Sequence, residues 1–304
     1  MPYISVRGVE HYYEWIRTPA NSHKKPVIVF IHGWAGSGRY WQSTAKALSN
    51  EFDCLLYDLR GFGRTCGNPS LAQAAVSVTE EQSSLAQPLA IAELTYELEE
   101  YAEDLAALMD ALALEQVVLN AHSMGASVAA LFLNQYPLRV QRAILTCTGI
   151  FEYDEQAFAT FHKFGGYVVK FRPQWLGKLP LVDRIFMARF LHRPIPVAER
   201  RAFLTDFLVA DYEAALGTIF TSVSQHAAEL MPQEFAKITV PTLLVAGEYD
   251  KIIPAAMGRQ AAATNARIEF ALIPNTAHFP MLEAPDLYLQ RVREFLKIEE
   301  NQQI

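Results

Sequence analysis

The sequence predicts an α/β protein: a mostly parallel, doubly wound sheet with a helical segment inserted in it. Three observations carry the prediction. Short apolar runs at 27–31, 116–120 and 240–246 are bounded by loops, as expected of strands buried on both faces. The runs at 27–31 and 116–120 lead through small-residue turns into helical patterns. The residues able to do chemistry stand just after such runs, where open parallel sheets gather their sites.

The most informative turn is Ala121-His122-Ser123-Met124-Gly125. It joins the strand at 116–120 to the helical run beginning at Ala126. A serine between small residues two positions away on either side fits a sharp strand-to-helix elbow. Small neighbours leave room for strained serine backbone, and the strain lifts the hydroxyl clear of the sheet. Alanine at 121 makes this a relaxed form of the G-x-S-x-G pattern. Upstream, the 27–31 strand feeds His32-Gly33-Trp34-Ala35-Gly36-Ser37-Gly38, a glycine-rich loop whose backbone N–H groups can face a developing oxyanion. Downstream, the 240–246 strand leads to Asp250, and a later loop carries Asn275-Thr276-Ala277-His278.

The chain order is therefore glycine-rich loop, serine, aspartate, histidine. With this order in place, the sequence resembles the α/β-hydrolase superfamily, of the kind that carries a separate helical cap. Tyr57-Asp58-Leu59-Arg60-Gly61-Phe62-Gly63-Arg64-Thr65 is similar to that family's D-x-R-G-x-G-x-S turn, and Glu283-Ala284-Pro285 resembles the start of its last helix. The resemblance implies a core at 1–150 and 236–304, a cap at 151–235, and an insertion at 66–94. It also implies Ser123 as nucleophile, His278 as base and Asp250 as the acid that orients it. The backbone N–H groups of Trp34 and Met124 would form the oxyanion hole. His32, His122, Phe151 and Phe279 are the candidates for lining the pocket, the two histidines being implied as orienting or pocket-lining groups more than as bases. Asp58 and Asp154 are alternative acids, whereas His11, His23, His162, His192 and His226 show no partner pattern.

Serine at 123 argues against the dehalogenase and epoxide-hydrolase branches of the superfamily, which use aspartate there. The glycine-tryptophan signature of proline iminopeptidases is absent around Ser123. The resemblance therefore implies hydrolysis of a carboxylic ester with an apolar acyl or alcohol group. Thioesterase, carbon–carbon bond hydrolase, perhydrolase and acyltransferase chemistry remain open on the same fold, as does a ligand sensor of low turnover.

Composition sets the outer bounds. Hydrophobic content of 51% with 19% charged residues fits a globular enzyme in 304 residues. A net charge of −7 argues against a general nucleic-acid binder. Cys54, Cys66 and Cys147 lack metal-ligand spacing, and no phosphate loop or G-x-G-x-x-G occurs. Neither a cofactor nor a metal is expected. The N-terminal residues lack a signal-peptide pattern, and three sparse cysteines suit a reducing compartment, so a cytoplasmic protein is expected.

Element by element, a hairpin is predicted across Arg7-Gly8, with strands at 2–6 and 10–16. The 27–31 strand, a helix over 39–49 and a strand over 53–57 follow. A helix is expected at 94–112 with its acids early, where helix N-termini favour them. After the elbow and its helix comes a strand over 140–147. The expected cap lacks strand alternation and is rich in large apolar residues, among them Phe158, Phe161, Phe164, Tyr167, Val168, Val169, Phe171, Trp175 and Leu176. Most of these are expected in the cap's own core. Between Lys163 and Arg201 lie nine basic residues and two acids, Asp183 and Glu199, an excess of seven positive charges with aromatics interleaved. Two readings stand: a solvated basic face complementing an acidic core, or peripheral contact with an anionic membrane.

Overall fold

The computed structural model describes residues 2–18, 25–65 and 94–298. Most of the predicted 66–94 insertion, Cys66 and His23 lie outside the described residues. Eight strands form one sheet: β1 (Tyr3–Val6), β2 (Val9–Ile16), β3 (Val27–Ile31), β4 (Asp53–Tyr57), β5 (Val117–His122), β6 (Val140–Thr146), β7 (Thr242–Gly247) and β8 (Ile268–Ile273). Their spatial order is β1-β2-β4-β3-β5-β6-β7-β8. β1 and β2 pair antiparallel across Arg7-Gly8, and β2 pairs antiparallel with β4. The other pairings are parallel.

Strict alternation along the central strands divides the core into two layers. Val29, Ile31, Leu119 and Leu145 face one side. There they meet α2 (Leu98–Ala111) and α3 (Met124–Gln135). Ile28, Phe30, Val118 and Ile144 face the other, where Trp41, Leu48, Val292 and Phe295 pack on them. These four come from a 3-10 turn at Gly38–Trp41, α1 (Gln42–Leu48) and the last helix, Pro285–Leu296. α3 is apolar on nearly every side and is buried accordingly.

Most predicted boundaries move by one to four residues, and two of the shifts have a visible local setting. The helix expected from 94 begins at Leu98, because Glu97 takes an extended backbone at φ −69° and ψ 148°; ahead of it Thr95 O accepts from Arg60 and Tyr96 O from the Thr221 hydroxyl. The strand expected to reach 147 ends at Thr146, because Cys147 takes a positive φ of 53°.

Between β6 and β7 the described residues form helices and no strand: α4 (Glu155–Lys170), α5 (Val182–Met187), α6 (Val197–Val209), α7 (Tyr212–Ser222) and α8 (Gln225–Lys237), with a 3-10 turn at Gln174–Lys178. The expected domain boundary at 235 falls inside α8. Phe235 and Met231 of α8 share the core with α3, and Asn134 of α3 donates to the Glu234 carboxylate. α6 and α7 instead pack on the loops at the C-terminal ends of the strands. No helix among the described residues is long and apolar enough to cross a membrane.

Candidate active site

Ser123 follows β5 and immediately precedes α3, with φ 54° and ψ −125°. A residue in such a sparsely populated region costs about 1–3 kcal/mol and persists only where its surroundings enforce it. The enforcement is visible. Ser123 N–H donates to Thr146 O of β6 at 2.8 Å, and Ser123 O accepts from Ala126 and Ser127 as the helix begins. The glycine-rich loop after β3 presses against the elbow. A Cβ on Gly125 would lie 2.3 Å from His32 O, and one on Gly33 would lie 2.9 Å from the Ser123 Cβ. Both positions are therefore limited to glycine by contact with backbone or with the serine itself.

The structure brings Ser123, His278 and Asp250 together. The Ser123 hydroxyl lies 3.0 Å from His278 Nε2, and His278 Nδ1 lies 2.8 Å from Asp250 Oδ2. Nδ1–H donates to the carboxylate, which leaves Nε2 to accept from the serine. The other Asp250 oxygen accepts from the N–H groups of Ile252 at 2.8 Å and Ile253 at 3.0 Å. Burial works to raise the Asp250 pKa, but His278 and these backbone donors outweigh it and hold the carboxyl below its ordinary range. The N–H groups of Trp34 and Met124 have no hydrogen-bond partner among the described residues.

The other sequence candidates separate. Asp58 is buried and fully engaged: Oδ1 accepts from Gly38 N–H, and both oxygens bind the Arg64 guanidinium. It braces the turn after β4 and is not held near His278. Asp154 is exposed. His162 packs on Phe220 and contacts Val223 O, inside the inserted helices. His192 stacks on Tyr249 at 4.3 Å, and His226 sits on the surface beside Glu99.

His32 and His122, expected to line a pocket, are buried with both ring nitrogens engaged. Leu59 N–H donates to His32 Nε2 at 2.8 Å, so Nδ1–H donates to Gly33 O. Burial pushes the His32 pKa down to about 4. His122 Nε2–H donates to His278 O at 2.7 Å, since a carbonyl can only accept, and Tyr40 Oη–H donates to Nδ1 at 3.0 Å. Burial, reinforced by His278, keeps His122 neutral well below its ordinary titration range. Neither ring offers a free nitrogen to a ligand. Phe279 is also buried, its ring 4.8 Å from that of His122 and 5.2 Å from that of Phe203. Phe151 is half-buried just after β6. The densest grouping of metal-type ligands among the described residues is His122, Cys147 and His278. Its ring nitrogens are all taken by the bonds already described.

Three site residues escape sequence reasoning. Tyr40 accepts from Gly33 N–H and donates to His122, joining the glycine-rich loop to the elbow. Glu283 is a buried carboxylate with four backbone donors. Oε1 accepts from Ala277 N–H at 2.8 Å and Phe279 N–H at 3.4 Å, on either side of His278. Oε2 accepts from His192 and Arg193 N–H, both at 2.7 Å. Asp206 on α6 binds Ser37 of the glycine-rich loop and Arg39 of the 3-10 turn after it, and burial raises its pKa to about 6. The one signal available was the acid five residues after His278. The segment between β6 and β7 thus reaches the site at several points: Trp34 Nε1–H donates to Ala215 O of α7, His278 N–H donates to Phe190 O in the turn after α5, and the Phe190 ring lies 6.1 Å from that of His278.

The sequence profile of the alpha/beta hydrolase fold matches residues 26–285. The chain is 20% identical over 300 residues to the uncharacterised hydrolase YugF of Bacillus subtilis, covering 97% of each. It is 23% identical to the proline iminopeptidase of Heyndrickxia coagulans, covering 91% of this chain and 92% of that one. A solved thermophilic esterase from Thermogutta terrifontis superposes with a TM-score of 0.70 at 21% identity, over 97% of this chain and 98% of that one. With the match running from β3 to the start of the last helix, this chain belongs to the alpha/beta hydrolase fold family.

Proposed function

We propose that the protein is a serine hydrolase of carboxylic esters that carry an apolar acyl or alcohol group. One observation carries this reading: the hydrogen-bonded sequence Ser123–His278–Asp250, with the serine on a strained elbow. The relatives' names span several reactions, so the reading rests on the site and not on them.

In the proposed mechanism His278 Nε2 takes the Ser123 proton as Oγ attacks the acyl carbon. Asp250, ionised and held by two backbone donors, stabilises the imidazolium that forms. The tetrahedral oxyanion is received by the N–H groups of Trp34 and Met124; one such donor is typically worth about 3 kcal/mol in the transition state. On collapse, His278 returns the proton to the departing alcohol, leaving an acyl group on Ser123. His278 then deprotonates a water that attacks the acyl carbon, and the acid leaves as Oγ regains its proton. The aromatic surroundings of His278, from Phe190 and Phe279 with Phe203 against both, favour an apolar substrate group.

The test is hydrolysis of p-nitrophenyl esters of increasing acyl length by the wild type and by Ser123→Ala. Turnover is expected in the wild type, with a loss of at least about a thousandfold in the variant. A wild type inert across the series, or an active Ser123→Ala, rejects the reading.

A further inference from the structure

The large apolar residues of the 158–176 stretch are not chiefly the core of the inserted helices, as their composition suggested. Phe164 is 60% exposed, Tyr167 63%, Phe171 71% and Trp175 54%, whereas Val169 is buried. The helix geometry explains the division. α4 packs on α7 through His162, Gly165 and Gly166, with Val169 buried on the same side of the helix. A Cβ on Gly165 would meet Ile219 at 3.1 Å, one on Gly166 would meet Leu216 at 3.9 Å, and the His162 ring lies 4.6 Å from that of Phe220. At 100° per residue the opposite face carries Phe164, Tyr167 and Phe171. Lys163 and Lys170, seven residues apart, run along one flank of that face. The chain then continues through Trp175 to Leu181, 62% exposed, and Ile185, 74% exposed.

The basic residues share this exposure. Of the nine between Lys163 and Arg201, Arg200 pairs with Asp183 and Arg172 is bound to backbone. Lys163, Lys170, Lys178 and Arg184 are exposed and make no ion pair among the described residues. An apolar, aromatic ridge with unpaired cations beside it, on a chain of net charge −7, is shaped for a partner that is apolar within and anionic at its surface. A second copy that laid the same ridge on this one would match it in apolar surface but would set the cations of one ridge beside those of the other. A bilayer with anionic headgroups supplies both.

We propose that the outward face of α4, with the turn through Trp175 to Ile185, docks on anionic membrane surfaces. The aromatic and aliphatic side chains enter the headgroup–acyl boundary while the lysines and Arg184 lie among the phosphates. This inference goes beyond the proposed ester hydrolysis and stands independently of it, since its readout is binding and not turnover.

The test uses the full chain with vesicles of phosphatidylcholine alone and of phosphatidylcholine mixed with phosphatidylglycerol. Cosedimentation is expected with the mixed vesicles at low salt, weakening as salt rises. The tryptophan emission shifts to the blue on binding, and in Trp175→Phe that shift is lost while sedimentation persists. Lys163→Glu with Lys170→Glu should weaken binding at least tenfold. Phe164→Ser with Phe171→Ser should abolish it, with unchanged melting temperatures reporting intact folds. Should the serine pair not fold, the exposed lysine pair alone decides. Absence of sedimentation with anionic vesicles, equal binding by the lysine variant, or binding with no emission shift overturns the proposal. Self-association lost in Phe171→Ser, without vesicle binding, assigns the face to a second copy and also overturns it.

Discussion

Replacing Glu283 by glutamine tests whether the His278 loop is held by a single buried carboxylate. The carboxylate has four backbone donors and no side-chain partner: Ala277 and Phe279 on one oxygen, His192 and Arg193 on the other. A glutamine amide keeps one acceptor and turns the other position into a donor. One pair of N–H groups must then face an NH2. The cheaper orientation places the nitrogen toward Ala277 and Phe279, because that side loses one bond at 2.8 Å and one long bond at 3.4 Å, whereas the other loses two at 2.7 Å. Hydrogen bonds to a charged group contribute roughly 1.5–3 kcal/mol each. The strong bond, a fraction of the long one, and the neutralised acceptor on the far side together give about 3–5 kcal/mol of lost stability.

The disturbed donors flank His278, so the change reaches the site through that residue. Glu283 is a positioning residue, and its loss should lower kcat more than it raises KM. Urea unfolding measures the first quantity and p-nitrophenyl ester kinetics the second. Hydrogen exchange provides a third: the amides of Ala277 and Phe279 should exchange faster in Glu283→Gln while those of β5 do not change. A glutamine variant within about 1 kcal/mol of wild type, with unchanged kcat and unchanged exchange at 277 and 279, would refute the reasoning.

Two other perturbations have signed outcomes. Tyr40→Phe removes the acceptor of Gly33 N–H and the donor to His122 Nδ1, both buried; each unsatisfied group costs about 1–3 kcal/mol, so thermal unfolding should show a loss of that order and turnover should fall with it. Acidification should destabilise the fold. His32 has a folded pKa of about 4 against an ordinary 6.5; below pH 6.5 the unfolded chain takes up a proton that the folded one refuses, and stability falls toward pH 4 by up to about 1.4 kcal/mol per pH unit. His122 and His11, also lowered by burial, act in the same direction. Asp206, raised to about 6, acts oppositely, because its folded form prefers the proton between pH 3.8 and 6. Glu199, also raised by burial, adds to Asp206, but two acids against three histidines leave a net loss, so the melting temperature should be lower at pH 5 than at pH 7. Asp206→Asn should steepen that dependence, and a flat profile would contradict the assignment.

The sequence by itself determined the order of the site and its local geometry. Apolar runs of strand length, the glycine-rich loop, the small residues around Ser123, and the positions of Asp250 and His278 are all short-range signals. They report steric and solvation demands that a few neighbouring residues impose on one another. Gly125 was legible as a necessity of the elbow because any Cβ there strikes the adjoining strand end. Tertiary structure alone decided the partners. Tyr40, Glu283 and Asp206 each bond to a residue far away in the chain, Tyr40 to His122, Glu283 to His192 and Arg193, and Asp206 to Ser37, and apart from the place of Glu283 five residues after His278 nothing nearby in the sequence marks them. His32 and His122 stand beside the site in sequence, yet backbone partners at Leu59 and His278 turn them into scaffold. The direction of the aromatic face on α4 belongs to the same class. Composition showed only that the stretch from 158 to 176 is rich in large apolar residues; the packing of Gly165 and Gly166 on α7 settled which of them are buried, because apolar content does not specify what meets it.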